Sequence, residues 1–238
     1  MTNPFQSLLN FIFPSACLGC GKEGSFLCEK CLRKIPINRE QVCPVCKKPS
    51  LRGRVHGEKC ASKTPLVGLI VAAKYSGNSV LDRAITQFKY RYSREMEVPL
   101  GKLLTEALQR NFTPDSTTFI VPIPLHPSRR RWRGFNQAEA LSGQVGKALG
   151  IPVMNLLKRE KKTRQQAKLT REERLVNVRN AFMMNDNPPQ SSLLKKGGDC
   201  RILLVDDVAS TLATLEEAAK VLRDAGYEDV TGVVLARG

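Results

Sequence analysis

The sequence predicts an α/β fold, a mainly parallel sheet flanked by helices, behind a small cysteine-stapled domain. Three observations predict it. Seven of the eight cysteines fall in the first 60 residues. Beyond them, four short runs of consecutive apolar residues alternate with stretches at helical spacing, and unbroken apolar runs mark strands covered on both faces. One run, Ile202-Leu203-Leu204-Val205, ends in two adjacent carboxylates, Asp206 and Asp207, followed by small and hydroxyl residues and then a helical pattern. In open α/β sheets, ligands bind outside the carboxyl ends of the strands. With 238 residues, 42% of them hydrophobic, the chain suits one large or two small domains with a sizeable core. The composition shift predicts domains 1–63 and 64–238.

At the N-terminus, the run Leu8-Leu9-Asn10-Phe11-Ile12-Phe13 is too short for a membrane span, which needs roughly twenty apolar residues. It lacks the basic flank and cleavage-like site of a signal peptide. It is expected to pack on the body, with no membrane insertion and a cytoplasmic location. In a reducing compartment, paired CxxC motifs are metal sites rather than disulfides. Cys17-x2-Cys20-x7-Cys28-x2-Cys31 supplies two thiolate pairs for one tetrahedral ion, and zinc suits four thiolates. The second set, Cys43, Cys46 and Cys60, has three thiols. A further Cys would be expected near Lys63. Three readings stay open: His56 is the fourth ligand, the site is degenerate and held by packing, or the pairs interleave across the two sets. A segment of about 60 residues with few large apolar side chains needs such a staple, so the zinc is structural.

The four apolar runs are the strands. Leu69–Ala73 is the first. Leu81, Ile85 and Phe88 then share one helical face, and Leu100–Leu108 forms a second helix, with no chemistry visible in either. Phe119-Ile120-Val121 opens the next strand, which three prolines (Pro122, Pro124, Pro127) turn out of the sheet. Arg129, Arg130, Arg131, Trp132 and Arg133 follow as a loop. Arginine forks match phosphate oxygens, and Trp132, the only tryptophan, can stack on a base. His126 reads equally as a turn residue or a catalytic one. Residues 185–198 read as a linker, and Cys200 as a buried thiol. Ile202–Val205 and Val230–Ala236 complete the sheet, separated by a helix from Leu215 to Gly226.

Thirty-eight basic residues against 22 acidic ones leave +16, so polyanions are the expected partners. Between Arg129 and Arg179 lie fourteen basic and four acidic residues. At the end of the third run, Asp206 and Asp207 can accept from sugar hydroxyls. Ser210, Thr211 and Thr214, with the N–H groups of a helix start, suit a phosphate. A phosphorylated ribose needs both.

The segment Asp206-Asp207-Val208-Ala209-Ser210-Thr211-Leu212-Ala213-Thr214-Leu215 resembles the phosphoribosyl pyrophosphate (PRPP) motif of type I phosphoribosyltransferases, acidic-acidic-V-x-T-T-G-x-T-L. The resemblance implies that Asp206 and Asp207 hold the ribose hydroxyls, and that Ala209, Ser210, Thr211, Leu212, Ala213 and Thr214 hold the 5′-phosphate. Mg²⁺ accompanies PRPP, since it prefers carboxylates plus substrate phosphates. Leu212 stands at the motif's glycine. Glycine there allows close approach and positive φ, which a leucine resists, so Leu212 weighs against turnover and glycine is expected to strengthen PRPP binding.

The string Val121-Pro-Ile-Pro-Leu-His-Pro-x-Arg-x-Arg-x-Arg-Gly-Phe-Asn-Gln-Ala138 resembles the signature of the competence protein F (ComF) family. That resemblance covers nearly the whole chain. It implies a double zinc ribbon joined to a phosphoribosyltransferase-like domain, with Pro122–Pro127 as the pyrophosphate-side loop. The basic stretch from Leu157 to Phe182 resembles the family's R-x-x-x-T-x-x-Q-x-x-L…R…N-V…A-F, the loop that closes over PRPP in type I phosphoribosyltransferases. Arg159, Lys162 and Arg164 are its catalytic candidates, placed to neutralise leaving pyrophosphate. The family implies a part in DNA uptake and natural transformation, with single-stranded DNA and a DNA-uptake helicase as partners. The alternative is an active type I phosphoribosyltransferase of nucleotide metabolism with no DNA role.

Overall fold

The structure, a computed structural model, describes residues 15–90, 94–162, 170–186 and 200–238. In chain order the described elements are α1 (Glu29–Leu32), α2 (Gly57–Ala61), β1 (Gly68–Lys74), α3 (Val80–Tyr90), α4 (Glu97–Asn111), β2 (Thr118–Pro122), α5 (Pro127–Arg133), α6 (Gln137–Leu149), β3 (Leu157–Arg159), α7 (Arg171–Val178), β4 (Phe182–Met184), β5 (Arg201–Ala209), α8 (Ala213–Asp224) and β6 (Asp229–Arg237). Arg164, the run Leu8–Phe13 and most of the expected linker lie outside the described residues.

The sheet runs β1-β6-β5-β2 and every pairing is parallel. Its apolar runs feed two cores, because successive strand side chains point to opposite faces. Ile70, Leu203, Val205, Val233 and Leu235 pack under α3, α4 and α6, together with Leu27, Leu32 and Ile35 of the cysteine-rich segment. Leu69, Val121, Ile202, Leu204 and Val234 pack under Leu215, Ala218 and Leu222 of α8 and under Leu157 and Phe182 of the antiparallel pair β3–β4. The N-terminal segment therefore shares a core with the α/β body.

Both sheet edges are covered. On β1, the Gln41 side chain mimics a strand: its Nε2 donates to the Val71 carbonyl at 3.1 Å and its Oε1 accepts from the Val71 N–H at 3.0 Å. Asn38 N–H donates to the Ala72 carbonyl and Val55 N–H to the Val67 carbonyl. Gly53, at φ +71, lies against β1, and a Cβ there would collide with the Leu69 carbonyl. On β2, Ile120 pairs with the backbone around Val153.

Three elements differ from the sequence reading. The arginine segment is the helix α5, not a loop. His126 caps it, its Nδ1 accepting from the Ser128 N–H at 3.2 Å; Pro127 opens it and Gly134 closes it at φ +79. This is a proline-first, glycine-last helix. Leu157–Arg159 is a strand, so the basic stretch starts on a fixed element. β5 runs through the acid pair to Ala209, because β6 continues beside it to Arg237.

Candidate functional site

The acid pair sits inside the last turn of strand, so its two side chains go to opposite faces. Asp207 points to the helix layer. Its Oδ1 lies 3.0 Å from the Lys89 ammonium at the end of α3 and accepts from the Val208 N–H at 2.6 Å. Asp206 points toward β3–β4, where Arg159 lines the same cleft; its Oδ1 accepts from the Asp207 N–H at 2.8 Å. Burial pushes the Asp206 carboxyl up to about 7, and the Asp207 charge adds to this against the pull of Lys89 and Arg159. Burial also brings the Arg159 guanidinium down to about 10, helped by Arg129 and Arg133 and opposed by Asp206. Arg159 is 6% exposed, its guanidinium 5.0 Å from the centre of the Phe182 ring.

These residues line a cleft of about 460 Å³ at the carboxyl edge of the sheet. Lys89, Arg129, Arg133 and Arg159 face the two carboxylates, so cations outnumber anions and the cleft suits a polyanionic ligand with hydroxyl groups. Asn136 and Gln137 hold its far wall. Asn136 donates to the Ile123 carbonyl at 3.0 Å and caps α6, while Gln137 donates to the Phe88 carbonyl at 3.1 Å and accepts from Arg133 at 2.9 Å. A larger groove of about 690 Å³ follows the outer face of α8, and of the predicted phosphate-loop residues only Ala213 reaches it.

Two thiol groups lie in the N-terminal segment. The sulfurs of Cys17, Cys20, Cys28 and Cys31 all lie within 4.8 Å of one another, as do those of Cys43, Cys46 and Cys60. Burial opposes ionisation of Cys17, but the N–H groups of Cys28, Gly19 and Cys20 outweigh it and bring the thiol down to about 6. Cys43 follows the same pattern, down to about 6, with N–H groups from Cys46, His56 and Val45. Burial and the neighbouring sulfurs push Cys31 and Cys60 the other way; it is the clustering of the sulfurs that fits a zinc ion.

Residues 8–62 match the family model of the double zinc ribbon domain. Competence protein F of Haemophilus influenzae is 34% identical over 178 residues, covering 73% of this chain and 68% of that protein. The chain belongs to the ComF family. ComF relatives of greater span are competence protein ComFC of Streptococcus pneumoniae, 28% identical over 232 residues (98% of this chain, 97% of that protein), and DNA utilization protein YhgH of Salmonella typhimurium, 28% identical over 217 residues (89% and 90%). The ribbon match and the thiol groups make zinc a structural ion of this ComF chain.

The cleft of this ComF chain gathers only part of the predicted set. Asp206, Asp207, Ser210, Thr214, Arg129, Arg133 and Arg159 line it. Ala209 and Leu212 do not; both are buried in the core beneath α8. Leu212 has φ −76 and ψ −5, an ordinary right-handed conformation, so the expected conflict between leucine and left-handed backbone does not arise. Thr211 Oγ1 is buried without a hydrogen-bond partner. Lys162 is exposed and outside the cleft lining. Arg130, Arg131 and Trp132 point outward on α5, and Arg130 pairs with Glu139 at 2.9 Å. The helix of Leu81, Ile85 and Phe88 brings Lys89 into the cleft lining beside Asp207; Lys89 is legible as the cation immediately after its apolar stripe. At the second thiol group, the neighbouring side chain comes from before Cys60 rather than from near Lys63. His56 stands there as the N-cap of α2, the helix that carries Cys60.

Proposed function

We propose that this chain binds PRPP with Mg²⁺ in the cleft and takes part in DNA uptake, its basic face contacting single-stranded DNA. One observation carries the ligand assignment: two carboxylates on opposite faces of one strand end, inside a cleft lined by four cations and bordered by the start of α8. The carboxylates suit ribose hydroxyls and a hydrated Mg²⁺. The cations suit a diphosphate. Ser210 and Thr214 add hydroxyls near the helix start. The names of the relatives, competence protein and DNA utilization protein, support the DNA role. No helix among the described residues is long and apolar enough to cross a membrane, and reduced thiols suit a cytoplasmic protein.

A thermal-shift titration with millimolar PRPP and Mg²⁺ tests the ligand. The expected result is a rise in melting temperature that Asp206→Asn with Asp207→Asn abolishes. No rise in the parent chain removes PRPP from the account; an equal rise in the double variant moves its site elsewhere.

A further inference from the structure

Each cysteine knuckle is gripped by an arginine of the α/β body, at the same backbone position. In Cys17-Leu18-Gly19-Cys20, the Leu18 carbonyl accepts from Nη2 of Arg83 on α3 at 2.9 Å. In Cys43-Pro44-Val45-Cys46, the Pro44 carbonyl accepts from Nη2 of Arg237 at the end of β6 at 3.2 Å, and from Lys47 Nζ at 3.0 Å. Arg83 is exposed, whereas Arg237 is half-buried. Its Nη1 is shut off from solvent and has no hydrogen-bond partner among the described residues. Burial pulls the Arg237 guanidinium down and the Cys43 charge opposes this, so the cation stands beside the thiol group. Three thiolates on one Zn²⁺ ion leave a net negative charge that a neighbouring guanidinium offsets. The same residue is fixed to the ligand cleft. Its backbone is in register with Ala209 of β5. Gly238, next in the chain, lines the cleft and donates its N–H to the Ala209 carbonyl at 3.2 Å. A Cβ on Gly238 would lie 3.8 Å from the Cα of Ser210, another cleft residue. One side chain and the backbone unit after it thus join the second knuckle to the Ser210 wall of the cleft.

We infer that Arg237 is a positioning residue for the cleft: it docks the second knuckle against the end of β6, so that the ribbon's metal sets the backbone beside Ser210. Only the ligand arm of the inference rests on the PRPP reading. By linkage, a ligand that favours the docked form tightens zinc binding, and zinc tightens the ligand by the same factor. In the zinc-loaded full chain, Arg237→Met should weaken one zinc site roughly tenfold in competition with a chromophoric chelator. It should also speed amide hydrogen exchange over residues 206–214 and leave α4 and α6 unchanged, a pattern that a general loss of stability does not give. Arg237→Lys keeps the charge and a donor, and should recover part of both. PRPP with Mg²⁺ should tighten the same zinc site in the parent chain and not in Arg237→Met. Unchanged zinc affinity in Arg237→Met overturns the inference, as does weakened affinity with unchanged exchange over 206–214. A parent chain whose melting temperature PRPP does not raise removes PRPP alone, and competition and exchange then decide. If Arg237→Met does not fold, Arg237→Lys takes its place in the same comparison with the parent.

Discussion

Leu212 fills the place of the motif's glycine, yet its backbone is right-handed and its side chain is 9% exposed in the core beneath α8. Removing a buried leucine costs about 2–5 kcal/mol, and glycine adds backbone entropy. Leu212→Gly should therefore lower the unfolding free energy by about 3 kcal/mol without strengthening PRPP binding; urea titration and calorimetry check the two halves. Asp206 gives a pH dependence of definite sign. Its folded pKa of about 7 lies above the roughly 3.9 of an unfolded aspartate. Between these values the folded chain keeps a proton that the unfolded chain has lost, so stability falls as pH rises through the window. The urea midpoint should drop from pH 5 to pH 8, and Asp206→Asn should flatten that drop. An equally steep drop in the variant would assign the effect to other groups.

Among the elements, α5 is the one whose exposed face matches its charge. Arg130, Arg131 and Trp132 stand outside the cleft, so Arg130→Ala with Arg131→Ala should weaken single-strand binding and leave PRPP binding intact. The log-log salt slope should flatten by about 0.7 for each phosphate that the variant no longer neutralises; unchanged binding in a filter or anisotropy assay would remove α5 from the DNA face. The strands are legible in the sequence because burial on both faces demands unbroken apolar runs. α5 is not, because proline and arginine read locally as a loop while its caps, His126, Pro127 and Gly134, are single residues. The length of β5 is hidden for another reason: Asp206 and Asp207 look like strand terminators until β6 is seen to continue beside them. Arg159 is legible as a cation and not as a strand residue, since β3 exists only by pairing with β4, more than twenty residues further along. In the second thiol group, Gly57 breaks the CxxC spacing, which draws attention past Cys60 when the neighbour lies before it.

Across the whole molecule, the double zinc ribbon lies along the edge of the sheet. Gln41, Asn38 and Val55 occupy hydrogen-bonding positions that β1 would otherwise turn to solvent, and Leu27, Leu32 and Ile35 complete a core begun by α3 and α4. A fragment of residues 64–238 should therefore be less soluble than the full chain and should self-associate; a monomeric fragment that melts cooperatively would contradict this. An exposed β1 would be a template, since an unpaired parallel edge recruits the next extended chain it meets. In the full chain the ribbon segment occupies that edge. Stripping the zinc with a chelator should therefore uncork that edge and drive the full chain to self-associate, which light scattering reads.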